Sequence, residues 1–590
     1  MKKIVDLLSE DIKKAFVEKG YDEKFGVVTL SNRPDLCQYQ CNGAMAAAKA
    51  YKKAPIMIAQ EVVDLIKDND KIKEVTAIMP GFININLSDD FIAEYIDEMR
   101  NSKDFGCEKE ATPKKVIIDY GGPNIAKPLH VGHMRSAIIG ESLKRIFKFM
   151  GNDAIGDVHL GDWGTPMGLV IAELKRRKPD LVYFDESYTG EYPSEAPFTI
   201  SELEDIYPAA SAYSKENPEF LEEAKHITLL MQNGHRGYMA IWNHMQDVSV
   251  VDLKKIYDNL NVSFELWKME SDAQPYITDM VDYLKKNDYA KISDGALVVD
   301  VKEEADTREI PPFMILKSDG ATLYSTTDLA TIVERVKLFD PDHIIYITDK
   351  RQELHFERLF RCAKKTKLVK EDMEFQFIGF GTMNGKDGKP FKTRDGGVLR
   401  LEHLIKMVTD EVYNKIMDNR NMEEEQARQV AAKVGLAALK YGDLSNQASK
   451  DYVFDLERFT SFEGNTGPYI LYTIVRIKSI IDKFAETGKT INPEARILPA
   501  SSPVERDLGL QITRFSDMIH LAYLEQAPHR ICQYIYDLAD KFSSFYHDTK
   551  IISDDYSEER QSSLILMITL VKEILLTCID LLAFEAPERM

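Results

Sequence analysis

The chain has 590 residues, 44% of them hydrophobic and 29% charged, an ordinary globular composition spread over more length than one core serves, since single cores rarely exceed about 250–300 residues. Its formal net charge of −21 argues against a protein that coats nucleic acid nonspecifically, which needs a basic surface. Local basic patches remain open, such as Lys175 to Lys178 or the run Arg361, Lys364, Lys365, Lys367 and Lys370, although each also reads as a solvated face.

Residues 1–110 combine helical periodicity over 1–20, 41–52, 56–67 and 91–99 with strand-like runs at 76–79 and 82–86, which predicts a compact α+β module. The first helix carries acids inside its apolar stripe and lacks the uninterrupted apolar run of a signal peptide. Cys37 and Cys41 lie four apart, but no second pair or nearby histidine completes a metal set, so the six cysteines read as free thiols of a reducing compartment.

Residues 111–400 alternate strands and helices. Strand-like runs at 115–120, 295–300, 343–347 and 375–378 predict an α/β, Rossmann-like, doubly wound parallel sheet. The stretch from about 165 to 300 is too long for a crossover and is expected to be an insertion, with its acidic part, 179–220, exposed. From 401 onward strands are expected to vanish. Helices are predicted over 401–421, 423–441, 467–485, 504–526, 529–546 and 558–584, giving a C-terminal all-α bundle with a Pro/Ser-rich link at 493–503. The apolar stretch 564–584 includes Lys572, Glu573 and Asp580, each costing about 2.5–3.5 kcal/mol near a bilayer centre, so it reads as a buried helix. A cytoplasmic chain with no membrane partner is expected.

Two places carry chemistry. His130-Val131-Gly132-His133 falls between the strand at 115–120 and a helix over 134–150. Two imidazoles at such a crossover suit phosphates resting at a helix N-terminus, and Gly132 lets a flat base approach the backbone. The string alone equally describes a pair of capping residues. Lys389 and Lys392 sit in a glycine-rich stretch, 381–397, which could close over a triphosphate or be an ordinary hairpin.

The segment from Asp119 to Ser136, reading Asp-Tyr-Gly-Gly-Pro-Asn-Ile-Ala-Lys-Pro-Leu-His-Val-Gly-His-Met-Arg-Ser, resembles the signature of class I aminoacyl-tRNA synthetases, the arginyl type in particular. Segments 159–165 (His-Leu-Gly-Asp-Trp-Gly-Thr), 316–328, 388–394 and 462–469 are similar to the same family in the same order, as is the ending Glu-Ala-Pro-Glu-Arg-Met. The resemblance implies ATP-dependent ligation of L-arginine to tRNA(Arg) through arginyl-adenylate, with Mg²⁺ on the phosphates and no protein-bound metal. It implies that His130, Gly132 and His133 bind ATP with Lys127 and Lys392, and that Lys389 assists. Asp328 and Tyr324 would take the guanidinium, Gln352 would add a polar contact, and Asp119 and Asn124 would hold the amino-acid end. It further implies that 1–110 contacts the outer corner of tRNA, 401–455 its stem, and 456–590 its anticodon. DNA is not an expected partner, and a monomer is expected.

The chain departs from the class pattern in two ways. The loop reads Pro390-Phe391-Lys392-Thr393-Arg394, so the first lysine of the usual Lys-Met-Ser-Lys is replaced by Pro390, and by resemblance Lys127 stands in. Gly121 and Gly122 occupy positions where many relatives carry serine. Asp328 is also readable as the N-cap of a helix over 329–338. The rival readings are a class I synthetase for another amino acid, a nucleotidylyltransferase without RNA, and a synthetase-derived tRNA-binding protein.

Overall fold

The computed structural model describes residues 1–127, 129–389, 391, 399–418, 422–492 and 494–590. The chain divides into two compact units: one holds 1–109, 462–580 and 585–590, the other 110–461 and 581–584.

In the second unit, four parallel strands run in the order Glu374–Phe380, His343–Asp349, Lys115–Tyr120, Asp153–Asp157. The chain starts in the third position, steps to the edge, and returns on the other side of its first strand. That reversal places a switch point between the carboxyl ends of Lys115–Tyr120 and His343–Asp349, where open α/β sheets bind ligands. Apolar strand residues, Ile117 and Ile344 among them, pack on Leu329, Ile332, Leu359 and Phe313 with essentially no exposure.

The structure differs from the sequence-based expectation at several elements. The run at 295–300 is not a parallel strand. Ala296–Val299 is the middle of a three-stranded antiparallel sheet with Lys291–Ser293 and Phe313–Leu316. The reason is local: Ser293 pairs with Ala296 across two residues, Asp294 and Gly295, whose φ values of 49° and 81° close a primed hairpin turn. The fourth parallel strand is Asp153–Asp157, whose sequence Asp-Ala-Ile-Gly-Asp has too little apolar character to announce it. The segment 179–220 is not uniformly exposed, because Tyr183, Phe198, Leu203 and Ile206 are buried around the helix Ile200–Glu216. Strands do not end at 401 either: Tyr452–Val453 pairs in parallel with Met383–Asn384.

The first unit joins the N-terminal module to the C-terminal helices. Its four-stranded antiparallel sheet has the order Val28–Leu30, Tyr39–Cys41, Phe82–Leu87, Ile72–Ile78. The helix expected over 504–526 is two, Pro503–Thr513 and Phe515–Leu524. Arg506, on the first of them, donates to Asp89 Oδ1 at 2.5 Å and to the Leu87 carbonyl at 2.7 Å. Gly509 on the same helix lets it approach Ile92 and Ile96 closely. All six cysteines are buried free thiols, and among the described residues no helix is long and apolar enough to cross a membrane.

One buried charge organises the catalytic-site side of the second unit. Arg135, on the helix Val131–Phe149, is 1% exposed. Its Nε donates to Asp443 Oδ2 at 2.9 Å, and its terminal nitrogens reach the carbonyls of Gly381, Lys450 and Ala448 at 2.6, 3.3 and 3.4 Å. Replacing Arg135 with methionine leaves Asp443 as a buried carboxylate without its counter-charge. Loss of one partner of such a pair costs about 3–5 kcal/mol. Denaturant unfolding of Arg135→Met should show a loss of that size, and a loss below about 1 kcal/mol would mean the network is energetically idle.

Candidate active site

The stretch after Lys115–Tyr120 is a loop that must turn sharply and then begin a helix. Gly121 has φ +73°, and a Cβ on Gly122 would collide with the carbonyls of Val158 and His159. Serine at either position is therefore disfavoured on backbone grounds. The Gly121 N–H donates to Ser136 Oγ at 2.8 Å, whose hydroxyl donates to the Ile347 carbonyl at 2.6 Å. This one side chain thereby ties both strands of the switch point to the helix Val131–Phe149.

His130 and His133 cap that helix in a reciprocal arrangement. The Gly132 N–H donates to His130 Nδ1 at 3.1 Å, and the His130 N–H donates to His133 Nδ1 at 3.2 Å. The rings stack with centroids 3.8 Å apart. The two residues thus form a reciprocal cap of this helix. Each Nδ1 accepts, so in the neutral rings the proton sits on Nε2. Burial lowers the pKa of both, that of His133 to about 3, and the charge of Lys127 pushes the same way. Both rings are therefore neutral donors near pH 7, at the positive end of a helix. A Cβ at Gly132 would press on the His130 ring, so this glycine makes room for the imidazole.

Lys127 lies beside them, its Nζ 4.4 Å from the centroid of the Tyr207 ring. Lys389 is on an exposed tight turn closed by a Gly385 N–H bond to its carbonyl at 2.8 Å. Lys392 and Pro390 lie outside the described residues.

On the other flank, Tyr324, Asp328 and Arg335 recur at i, i+4 and i+11 along the helix Tyr324–Phe339 and so share one face. Asp328 is inside this helix, which starts at Tyr324, so the N-cap reading is excluded. Its Oδ2 is 2.6 Å from His355 Nε2, and the Tyr324 ring is 4.7 Å from the His355 ring. Sequence reasoning missed His355, because twenty-seven residues separate it from Asp328. Gln352 is exposed at the end of the turn Lys350–Gln352, directly after the strand His343–Asp349. Asn124 pairs with Gly161, and the Ile125 N–H donates to the Gly161 carbonyl at 2.9 Å. Asp119 is partly committed: its Oδ2 accepts from Arg335 at 2.5 Å, and the same guanidinium reaches Asp157 at 2.7 Å.

Sequence reasoning also missed Glu270. Burial raises its pKa to about 7, the charges of Asp328 and Asp162 add to the rise, and the charge of His159 opposes it. The segment 159–165 explains its placement. Asp162 accepts from the Ser271 N–H at 2.9 Å and the Ser271 hydroxyl at 2.6 Å, while the Glu270 N–H donates to the Leu160 carbonyl at 3.0 Å. Both ring nitrogens of His159 are buried without a hydrogen-bond partner among the described residues. Lys127, His130 and His133 thus form a cationic, donor-rich cluster, and Asp328 and Glu270 an acidic one. Among the described residues no cluster of His, Cys, Asp or Glu would hold a metal ion.

Residues 96–456 match the family described as tRNA synthetases class I (R), catalytic domain. Residues 2–87 match the arginyl tRNA synthetase N terminal domain, and 470–590 the DALR anticodon binding domain. The chain is 60% identical to the arginine–tRNA ligase of Agathobacter rectalis and 59% identical to that of Alkaliphilus oremlandii, over 100% of each chain. The crystal structure of arginyl-tRNA synthetase from Plasmodium falciparum superposes with a TM-score of 0.81 at 26% identity, covering 100% of both chains.

The histidine geometry sets a pH dependence. The native value of His133, about 3, lies below its ordinary 6.5, so the unfolded chain binds the proton more readily. The stability it contributes is fully present above pH 6.5 and is lost as pH falls from there toward 3. Proton NMR of the native protein should show no titration of the His133 ring between pH 8 and 5, and a titration near 6.5 would overturn the buried neutral assignment.

Proposed function

Because the chain belongs to the class I arginyl-tRNA synthetases, arginine–tRNA ligases that use ATP, we propose a division of labour across its switch-point crevice. Attack of the arginine carboxylate on the α-phosphorus of ATP brings two anions together and expels pyrophosphate, so catalysis is mostly positioning and positive electrostatics. His130 and His133 donate from Nε2–H to phosphate oxygens as charge accumulates. Lys127 supplies the fixed positive charge, and Lys389 and Lys392 have lesser roles. Mg²⁺ comes with the triphosphate and neutralises its charge. The arginyl-adenylate then passes its acyl group to a ribose hydroxyl of tRNA(Arg), releasing AMP. The observation that carries this reading is the stacked pair of neutral, tautomer-locked imidazoles at a helix N-terminus on the switch point.

At the anionic end, Asp328 and Glu270 take the guanidinium, whose planar fork of donors suits carboxylates. His355 fixes the Asp328 carboxylate, and Tyr324, packed on the His355 ring, walls the pocket. Asn124, Gln352 and the free oxygen of Asp119 hold the amino-acid end. Neutral side chains are rejected because they leave buried carboxylates unpaired. The module 1–110 contacts the outer corner of tRNA, 401–455 its stem, and 456–590 its anticodon. The enzyme acts as a cytoplasmic monomer.

His130→Ala or His133→Ala should lower kcat far more than it raises the KM for arginine, by about 2–4 kcal/mol each in barrier, because the contacts strengthen only as the phosphorane forms. Steady-state aminoacylation kinetics decide this, and an altered KM at unchanged kcat would assign the rings to ground-state binding instead.

Asp328→Asn keeps an oxygen for His355 but loses the anionic pair for the fork. Arginine affinity should fall by about tenfold to a hundredfold, the scale of hydrogen bonds to charged groups. Glu270 adds a pH signature. Its value near 7 means part of the population is protonated at neutral pH, and a bound guanidinium favours the ionised form. Arginine binding should therefore release protons and tighten as pH rises through about 7, levelling off above it. Calorimetry in buffers of different ionisation enthalpy measures the release, which Glu270→Gln should abolish. Binding without proton release would remove Glu270 from the pocket.

A further inference from the structure

The helix Ile200–Glu216 lies inside the inserted region, yet one of its side chains meets the signature loop and another meets the residue bridged to that loop. Glu204 and Tyr207 are three residues apart and so share a face. Glu204 Oε2 accepts from Arg400 Nη1 at 2.6 Å. Arg400 forms an antiparallel backbone bridge with His130, and the following N–H, of Leu401, donates to the Leu129 carbonyl at 2.9 Å. Tyr207 lies with its ring 4.4 Å from Lys127 Nζ. One helical face therefore touches Lys127 directly and also holds Arg400, the residue bridged to His130. The helix is anchored independently: Thr199 and Glu202 form a capping box, and Lys178 donates to Glu202 and to the Pro197 carbonyl, both at 2.9 Å.

The two contacts differ in kind. Glu204 gives Arg400 a full counter-charge. Lys127 receives an aromatic face, and among the described residues no carboxylate pairs with it. A ring attracts an ammonium through its quadrupole without neutralising it. It also limits the rotamers of a side chain that otherwise has much freedom to lose on ordering. The lysine is thereby held in place while its entire positive charge remains available to an incoming anion. The field of that charge already reaches both site histidines.

We propose that Tyr207 is a positioning residue for the activation step, holding the Lys127 ammonium at the phosphate end of the crevice. This rests on the reading that Lys127 contacts the triphosphate. Tyr207 acts through its ring face; its hydroxyl is dispensable. The insertion thus contributes to ATP use through a helix that carries no group for the reacting atoms.

The test is single-turnover adenylate formation with the full-length protein, tRNA and arginine, as a function of ATP concentration. Tyr207→Phe keeps the ring and should behave like the parent. Tyr207→Leu keeps apolar volume without the π face and should weaken the apparent ATP affinity or the rate by roughly threefold to tenfold, the scale of one cation–π contact. Arginine KM should stay unchanged. In a Lys127→Ala background the same leucine substitution should have no further effect. A parent-like Tyr207→Leu beside a crippled Lys127→Ala overturns the role of Tyr207 and leaves that of Lys127 standing. An equal loss in both backgrounds, or a loss in Tyr207→Phe as large as in Tyr207→Leu, also overturns it. A silent Lys127→Ala fails the underlying reading instead.

Discussion

The guanidinium of Arg135 is the constraint on which the catalytic unit depends. It sits in a nearly waterless interior, where a charge persists only if its donors are matched by fixed acceptors. The acceptors come from three places in the sequence: Asp443 at the end of the helix Glu424–Leu444, the carbonyls of Ala448 and Lys450 after it, and the carbonyl of Gly381 at the entrance to the glycine-rich loop. The rings of Tyr452 and Phe380 lie 5.0 and 5.8 Å from the charge. Arg135 is also only two residues along the same helix from His133. The helix that presents the imidazoles is thereby bolted to the root of the loop and to the helices leading on from the sheet. None can shift without leaving a buried polar group unsatisfied.

A second buried guanidinium does similar work at the other end of the crevice. Arg335 bridges Asp119 and Asp157, on adjacent strands, from the helix that also carries Asp328 and Tyr324. Its charge lies 5.3 Å from the Tyr346 ring on the neighbouring strand. Internal cations thus set the angle of each helix against the sheet. Lys127 then lies on an aromatic face, and Glu270 is a buried carboxylate with a raised pKa. Such groups are costly to leave unpaired, and substrates of opposite charge relieve that cost. Polarity along the crevice follows from where the fold has and has not supplied partners.

The parts legible in the sequence are those whose structure is set by near neighbours. The strand Lys115–Tyr120 is a plain apolar run, and the two histidines cap a helix that starts within three residues of the first. The C-terminal helices carry clear periodicity, but the break at Arg514 and the short helix Leu456–Phe459 escaped it. The antiparallel fate of Ala296–Val299 was also locally encoded, in Asp294-Gly295, a turn pair that outweighs the apolar run after it. Glu270, His355 and Tyr207 were not legible. Each earns its place from a partner across the fold: Asp162 holds the turn beside Glu270, Asp328 meets His355, and Lys127 meets Tyr207. A lone Glu, His or Tyr in a helical context has no local pattern that distinguishes it from a surface residue.

By itself the sequence determined which chemistry is present: paired imidazoles at a strand-to-helix crossover, a lysine just ahead of them, and an acid on a later helix. Those choices are local because they depend on caps, turns and hydrophobic period, which extend over a few residues. Only the tertiary structure decided how the groups behave. It locked the histidine protons onto Nε2, set Lys127 over an aromatic ring, oriented Asp328 through His355, and pushed Glu270 toward neutrality. Proton position and charge depend on solvent exclusion and on fields from residues brought close by folding, and sequence spacing does not encode either.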